Sequence, residues 1–374
     1  MLPYDVSEIA SCEADITFFA ERHHPDTRKW FFDDFYRWFE NPGESRAYVL
    51  LGDAGVGKSV MAGVLAKKSA AKGNLAAAYF CRDKDDTRNN PRYLLGTIAC
   101  QLCKCNAQYS NFVGGEGGIR KFLSNSEIGI QGLFTKLLQE PLTKCNTPCE
   151  RKLIVIDALD ETKYESREDF LDVITRRFLM LPKWLVFFIT SRPVDAVKFR
   201  FKNYNPCIKI CAGNSENLEF YRQHEQDIKL FLEKSVDFSR FPYSADDVVE
   251  KCKGVFLCAF HIVKDLNAAA LSGEIIQLDD VVRGDIQDYL LENVSRVFQK
   301  VGENLYKKLF GCAIVALSPL PVAFIAFILQ KEKSNLEEWK VIDALSSFFD
   351  FDKSFDFRHN LISELLTEKE SSRE

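Results

Sequence analysis

Runs of like charge are missing from this sequence: 49 Lys+Arg against 54 Asp+Glu leave a formal net charge of −5, and no basic or acidic block is long enough to act as a binding arm. Such a balance gives no general attraction to nucleic acid or anionic lipid, so no nucleic-acid partner is expected. A secretory leader is also missing, because Asp5, Glu8, Glu13 and Asp15 stand where its apolar run would be. The expected location is therefore cytoplasmic, with the 12 cysteines reduced and used as small buried hydrophobes. Cys100, Cys103 and Cys105 invite a zinc reading. Against it, segment 93–109 reads as an amphipathic helix, and no second Cys/His pair sits at zinc-finger spacing. No repeat with a period of about 20–50 residues is found, which excludes a solenoid. One stretch without charge, 309–330 between Lys308 and Lys331, is long enough to span a bilayer. Ser318-Pro319-Leu320-Pro321 interrupts it, and prolines break helices by removing backbone donors. Two short buried helices joined by a turn are expected there, in preference to a membrane span.

What remains is an ordinary globular composition, 46% hydrophobic and 28% charged over 374 residues, enough for two or three packed units. Residues 1–42 are helical in pattern and rich in aromatics, Trp30, Phe31, Phe32, Phe35, Tyr36, Trp38 and Phe39, whose i, i+1, i+4, i+5, i+8 spacing marks one face, with Asn41-Pro42-Gly43 as the stop. Then come continuous apolar runs of strand length at 47–51, 75–80, 153–156 and 184–190, separated by helical patterns that include 60–71 and a helix opened by Asn90-Pro91. Apolar strands alternating with helices predict an α/β fold, a parallel sheet covered on both faces. The glycine-containing stretch 111–126 reads as a surface loop, and 133–142 as a helix. Beyond about 212 the pattern becomes amphipathic helices at 225–234, 244–253, 256–266 and 279–299, with an aromatic segment at 348–357 that could form a small hairpin.

Three strings carry chemistry. Gly52-Asp53-Ala54-Gly55-Val56-Gly57-Lys58-Ser59 fits G-x-x-x-x-G-K-[ST], and it follows an apolar strand and opens a helix at Val60. Its backbone N–H groups and the helix N-terminus suit phosphate, Lys58 suits the β- and γ-phosphates, and the Ser59 hydroxyl suits Mg²⁺. The strand 153–156 delivers Asp157 at its C-terminal end, the position of a second magnesium ligand, followed by Asp160 and Glu161, where an attacking water could be oriented. The alternative for the latter two is a solvated loop charge. The third run, 186–193, ends in Thr190, Ser191, Arg192 and Pro193; an arginine there suits a phosphate oxygen, or else it is a surface-turn residue. No Asn-Lys-x-Asp string is present, which favours adenine over guanine. The expected ligands are ATP or ADP with Mg²⁺.

Together these strings resemble the NACHT clade of STAND signalling ATPases, and Asp26-Thr27-Arg28-Lys29-Trp30 ahead of the first strand is similar to the nephrocystin-like group within it. The resemblance implies a P-loop NTPase domain at 43–212, after a helical segment 1–42. A helical lid domain at 213–295 and a winged-helix-like domain at 296–374 would follow it. Pro319-Leu320-Pro321 matches the turn commonly found at the start of the winged helix. It also implies a slow Mg-dependent ATPase in which Lys58, Asp157, Asp160, Glu161 and Arg192 are catalytic, Ser59 and Asp157 hold the metal, and Ser191 and His359 join the P-loop in nucleotide binding. Phe256, in Lys253-Gly254-Val255-Phe256, stands where relatives often carry proline. The implied function is a switch, closed on ADP and self-associating with ATP, in innate immune or other regulatory signalling. The effector and repeat segments usual in that clade are not read in this sequence. A nucleotide-stabilised scaffold is the second reading, and a small-molecule kinase or mechanical ATPase the third.

Overall fold

The structure is a computed structural model that describes residues 12–357 apart from 45, 84, 147, 149, 163, 205–206, 211–217, 274–275, 279–293, 296, 317–319, 333, 346–348 and 351–355. Expectations for residues 358–360, His359 among them, and for the turn at Ser318-Pro319 lie outside the described residues, as does most of 279–299. The chain divides into two units, 1–231 and 232–374.

The first unit is built on five parallel strands, β1 (Ala47–Gly52), β2 (Leu75–Phe80), β3 (Lys152–Asp157), β4 (Leu185–Ser191) and β5 (Cys207–Ile210), in the order β2-β3-β4-β1-β5. The strands read as unbroken apolar runs because both faces are covered. Val49, Leu51, Ile154, Ile156, Phe187 and Ile189 enter one core, and Tyr48, Leu50, Leu153, Val155, Val186 and Phe188 enter the other. The second core is closed by helices α1 (Glu13–Glu21), α2 (Lys29–Glu40) and α3 (Lys58–Ala71). On α2 the aromatic stripe buries Phe31, Phe32 and Phe35, with Phe31 and Phe35 packed against Tyr48 and Phe188.

The other core is covered by α4 (Pro91–Cys105), α5 (Ala107–Val113), α6 (Gly115–Ser124) and the helical stretch from Ile130–Phe134 through a π turn to Glu140–Thr143. Asn90 caps α4 by accepting the Arg92 N–H, with Pro91 in the first turn. Cys100 is buried on this helix and Cys103 half-buried, both packed in the core. The predicted loop 111–126 is instead the end of α5 and all of α6, with Ile119 and Leu123 buried. Its glycines serve the packing of two helices. Gly114 takes the left-handed turn between them (φ 82°), and a Cβ on Gly118 would lie 2.0 Å from the Val113 carbonyl oxygen. β5 was not anticipated; four residues give too little pattern to separate a strand from a loop.

The first unit ends within α7 (Leu218–Ser235), whose last four residues belong to the second unit. That unit contains helices Ala245–Cys252, Phe256–Ser272, Glu303–Val315, Ala323–Lys331 and Glu338–Leu345, and an antiparallel pair, Phe349–Asp350 with Asp356–Phe357. Leu309, Ile325, Val341, Leu345 and Phe349 form part of its core. The uncharged stretch 309–330 falls into two of these helices, and among the described residues no helix is long and apolar enough to cross a membrane.

Candidate nucleotide-binding site

Register brings the predicted strings to one edge of the sheet. Leu51 lies beside Ser191, Ile156 beside Ile189 and Phe80 beside Asp157, so Gly52, Asp157 and Ser191 share the C-terminal rim. β4 lies between the strand that precedes the glycine loop and the strand that ends in Asp157. The loop turns on Gly55 (φ 79°) and Gly57 (φ 94°), a backbone region costly for residues with a Cβ. Gly57 caps α3, so the helix N-terminus and the loop amides meet at one place.

Lys58 Nζ donates to the Gly52 carbonyl (2.7 Å) and the Asp53 carbonyl (2.9 Å), which holds the ammonium against the loop. Burial pushes its pKa down, and Asp160 and Asp157 oppose that shift. Asp157 is 2% exposed. Thr190 Oγ1 donates to its Oδ1 at 2.5 Å, and it is also hydrogen-bonded to the Ser59 hydroxyl. Burial raises the Asp157 pKa despite those hydrogen bonds and the nearby Lys58. A desolvated carboxylate joined to a hydroxyl is an all-oxygen donor set, the kind magnesium takes. The residues present therefore fit Mg²⁺, with Ser59 and Asp157 as the groups that would hold it.

Asp160 is tied to the third string. Its Oδ1 accepts from the Ser191 hydroxyl (3.1 Å) and the Arg192 N–H (2.8 Å), and its Oδ2 from Arg192 Nε (2.6 Å). Burial alone would raise the Asp160 pKa, but the Arg192 hydrogen bonds and charge outweigh it and hold the carboxyl below its usual range. A depressed folded-state pKa contributes stability above the unfolded value of about 3.9, lost as pH falls through the lower folded value. Asp160→Asn is thus expected to cost about 2 kcal/mol at pH 7, the scale of hydrogen bonds to a charged group. Denaturant titration at pH 7 and pH 3 checks this, because the difference from wild type should shrink at the lower pH. Glu161 Oε2 accepts the Asp83 N–H at 3.2 Å, which links it to the loop after β2. Ala158, between Asp157 and this turn, adopts a left-handed backbone (φ 56°) and donates its N–H to Thr190 Oγ1 at 2.9 Å.

Arg28 belongs to the site although the motif reading assigned it no role. It is 3% exposed, and its Nη2 donates to the Val56 carbonyl of the glycine loop at 2.7 Å. In the sequence Arg28 stands in the entry string Asp26–Trp30, with nothing to tie its side chain to the glycine loop. Its distance from the loop in the chain hides the contact.

Residues 26–192 match the family described as Nephrocystin 3, N-terminal, a segment that runs from just before α2 through the glycine loop to Arg192. No curated protein matches the chain. Solved structures similar to it include Cdc6p from Pyrobaculum aerophilum, at 15% identity and TM-score 0.43 over 98% of this chain and 99% of that one. The Walker-type ATPase PABY2304 of Pyrococcus abyssi matches at 13% identity and TM-score 0.40 over 91% and 95%. The replication initiator DnaA, bound to AMPPCP and single-stranded DNA, matches at 13% and 0.38 over 89% and 90%. The first unit is thus a parallel α/β P-loop domain, similar in sequence over 26–192 to the Nephrocystin 3 N-terminal family.

Proposed function

We propose that this chain is an ATP/ADP-binding signalling switch of the NACHT/STAND type, in which slow Mg-dependent hydrolysis controls domain opening and self-association. The observation that carries the reading is the convergence of Lys58, Ser59, Asp157 and Thr190 at one rim, with the Ser59 hydroxyl already bonded to the Asp157 carboxylate. In this reading the amides of 52–59 cradle the phosphates, and Lys58 contacts the β- and γ-phosphates. Mg²⁺, when bound, supplies charge neutralisation between those phosphates. Asp157 and Ser59 orient its shell, and Thr190 fixes the Asp157 carboxylate. Asp160 acts as a clamp on Arg192 and so sets where that guanidinium meets nucleotide. Glu161 orients the attacking water as general base. Residues 213–295 serve as the lid and 296–374 as a winged-helix-like unit, from which His359 would meet the β-phosphate of ADP. The activated form is a homo-oligomer in the cytoplasm.

The scaffold reading draws on two contacts: Arg192 is paired with Asp160, and Glu161 accepts the Asp83 amide. A protein that holds nucleotide only for stability would keep both. Substituting Glu161→Gln separates the two. The switch predicts that turnover of ATP falls by about 10²–10⁴-fold, the usual contribution of a general base. ADP affinity should stay within about threefold. Turnover equal to wild type would favour the scaffold.

A further inference from the structure

The guanidinium of Arg28 meets three things at once. It donates to the Val56 carbonyl in the glycine loop, to His224 Nδ1, and lies 3.8 Å from Asp227 Oδ2. His224 and Asp227 are both on α7, 196 positions further along the chain in the case of His224, and are 1% and 7% exposed. Asp227 also accepts the Arg28 backbone N–H and the Trp30 indole N–H, the latter at 2.8 Å, so one carboxylate of α7 caps the start of α2. Arg28 holds a left-handed backbone (φ 61°), costly for a residue with a Cβ. Burial lowers its pKa to about 10, with Asp227 acting in the opposite direction. A strained, desolvated arginine persists only where its surroundings determine it, and here they are the phosphate loop and α7.

The chemistry of each partner gives the contact a direction. A guanidinium only donates, so His224 Nδ1 accepts with its lone pair. For the loop amides to face phosphate, its carbonyls must turn outward, and Arg28 takes the one from Val56. A Cβ on Gly57 would lie 3.6 Å from Arg28 Nη2, so the guanidinium is packed against the loop at Gly57 as well as at Val56. We propose that Arg28 is a positioning residue that couples the P-loop to α7: His224 and Asp227 hold the guanidinium on the Val56 carbonyl, and nucleoside diphosphate affinity is thereby linked to the seating of α7. This rests on the nucleotide-site reading above. By reciprocity, whatever unseats His224 weakens nucleotide, and nucleotide tightens α7 to the same degree.

The test uses Mg·ADP as probe with the whole chain, wild type and two variants. His224→Leu keeps bulk without an acceptor, whereas His224→Gln keeps a carbonyl that can accept from Arg28. His224→Leu is expected to weaken ADP binding by about tenfold, within the usual range of coupling between sites, with His224→Gln within about threefold of wild type. In wild type, ADP should slow amide hydrogen exchange across 222–231, an effect that His224→Leu loses. Folded His224→Leu with wild-type affinity overturns the coupling while leaving the nucleotide site standing. Should that variant not fold, wild type decides alone: ADP binding without slower exchange at 222–231 also overturns it. Wild type that binds no ADP removes the nucleotide site itself, and the coupling with it.

Discussion

Lys58→Ala is expected to weaken ADP and ATP binding by about 100-fold or more while leaving the unliganded fold in place. The ammonium is held on the Gly52 and Asp53 carbonyls at the head of the glycine loop, so its four-carbon side chain is ordered at the place where phosphate would sit. Removing one partner of a buried charged contact costs about 2–5 kcal/mol, and each 1.4 kcal/mol is a factor of ten. Burial lowers the pKa of this lysine even with Asp160 and Asp157 nearby, so its charge carries a desolvation cost. Its removal relieves that cost and frees two carbonyls, and the two effects oppose each other in the melting temperature. Titration with a fluorescent ADP analogue checks the affinity. Binding within threefold of wild type would mean that phosphate is held elsewhere.

Phe35→Ala carries the largest expected loss of stability. Phe35 is fully buried on α2, with its ring 5.3 Å from Tyr48, 5.7 Å from Phe188 and 5.5 Å from Trp38. Phe→Ala in a core costs about 3–5 kcal/mol through lost transfer energy and the cavity left behind, and lost aromatic pairs add to it. For a unit of this size the melting temperature should fall by about 10 °C. Because Tyr48 and Phe188 lie in β1 and β4, α2 is part of the core of the nucleotide domain. A calorimetric scan that shifts by less than about 3 °C would show α2 to be a loosely attached appendage.

The first four strands were legible because burial on both faces leaves continuous apolar runs, a pattern that survives in a single sequence. The glycine loop was legible because its function needs fixed residue types at fixed spacing. Strand order was not, since the placement of β4 between β1 and β3 is decided by pairing across long separations. The stretch 111–126 misled because glycine serves loops and close helix contacts alike, and only the approach of Gly118 to the Val113 carbonyl distinguishes them. Asp160 was read as one of two acidic residues at the rim. Its engagement with Ser191 and Arg192 depends on β3 and β4 being neighbours. Arg28 lies in the entry string Asp26–Trp30, which says nothing of its contacts, and His224 lies in no motif, so their meeting is a product of tertiary folding.

Purified protein denatured and analysed for released nucleotide would decide whether this is an adenine-nucleotide switch. Near-stoichiometric ADP from wild type, with none from Lys58→Ala, is the expected result. Guanine nucleotide would contradict the base assignment, and empty protein that also fails to bind added ATP would contradict the switch.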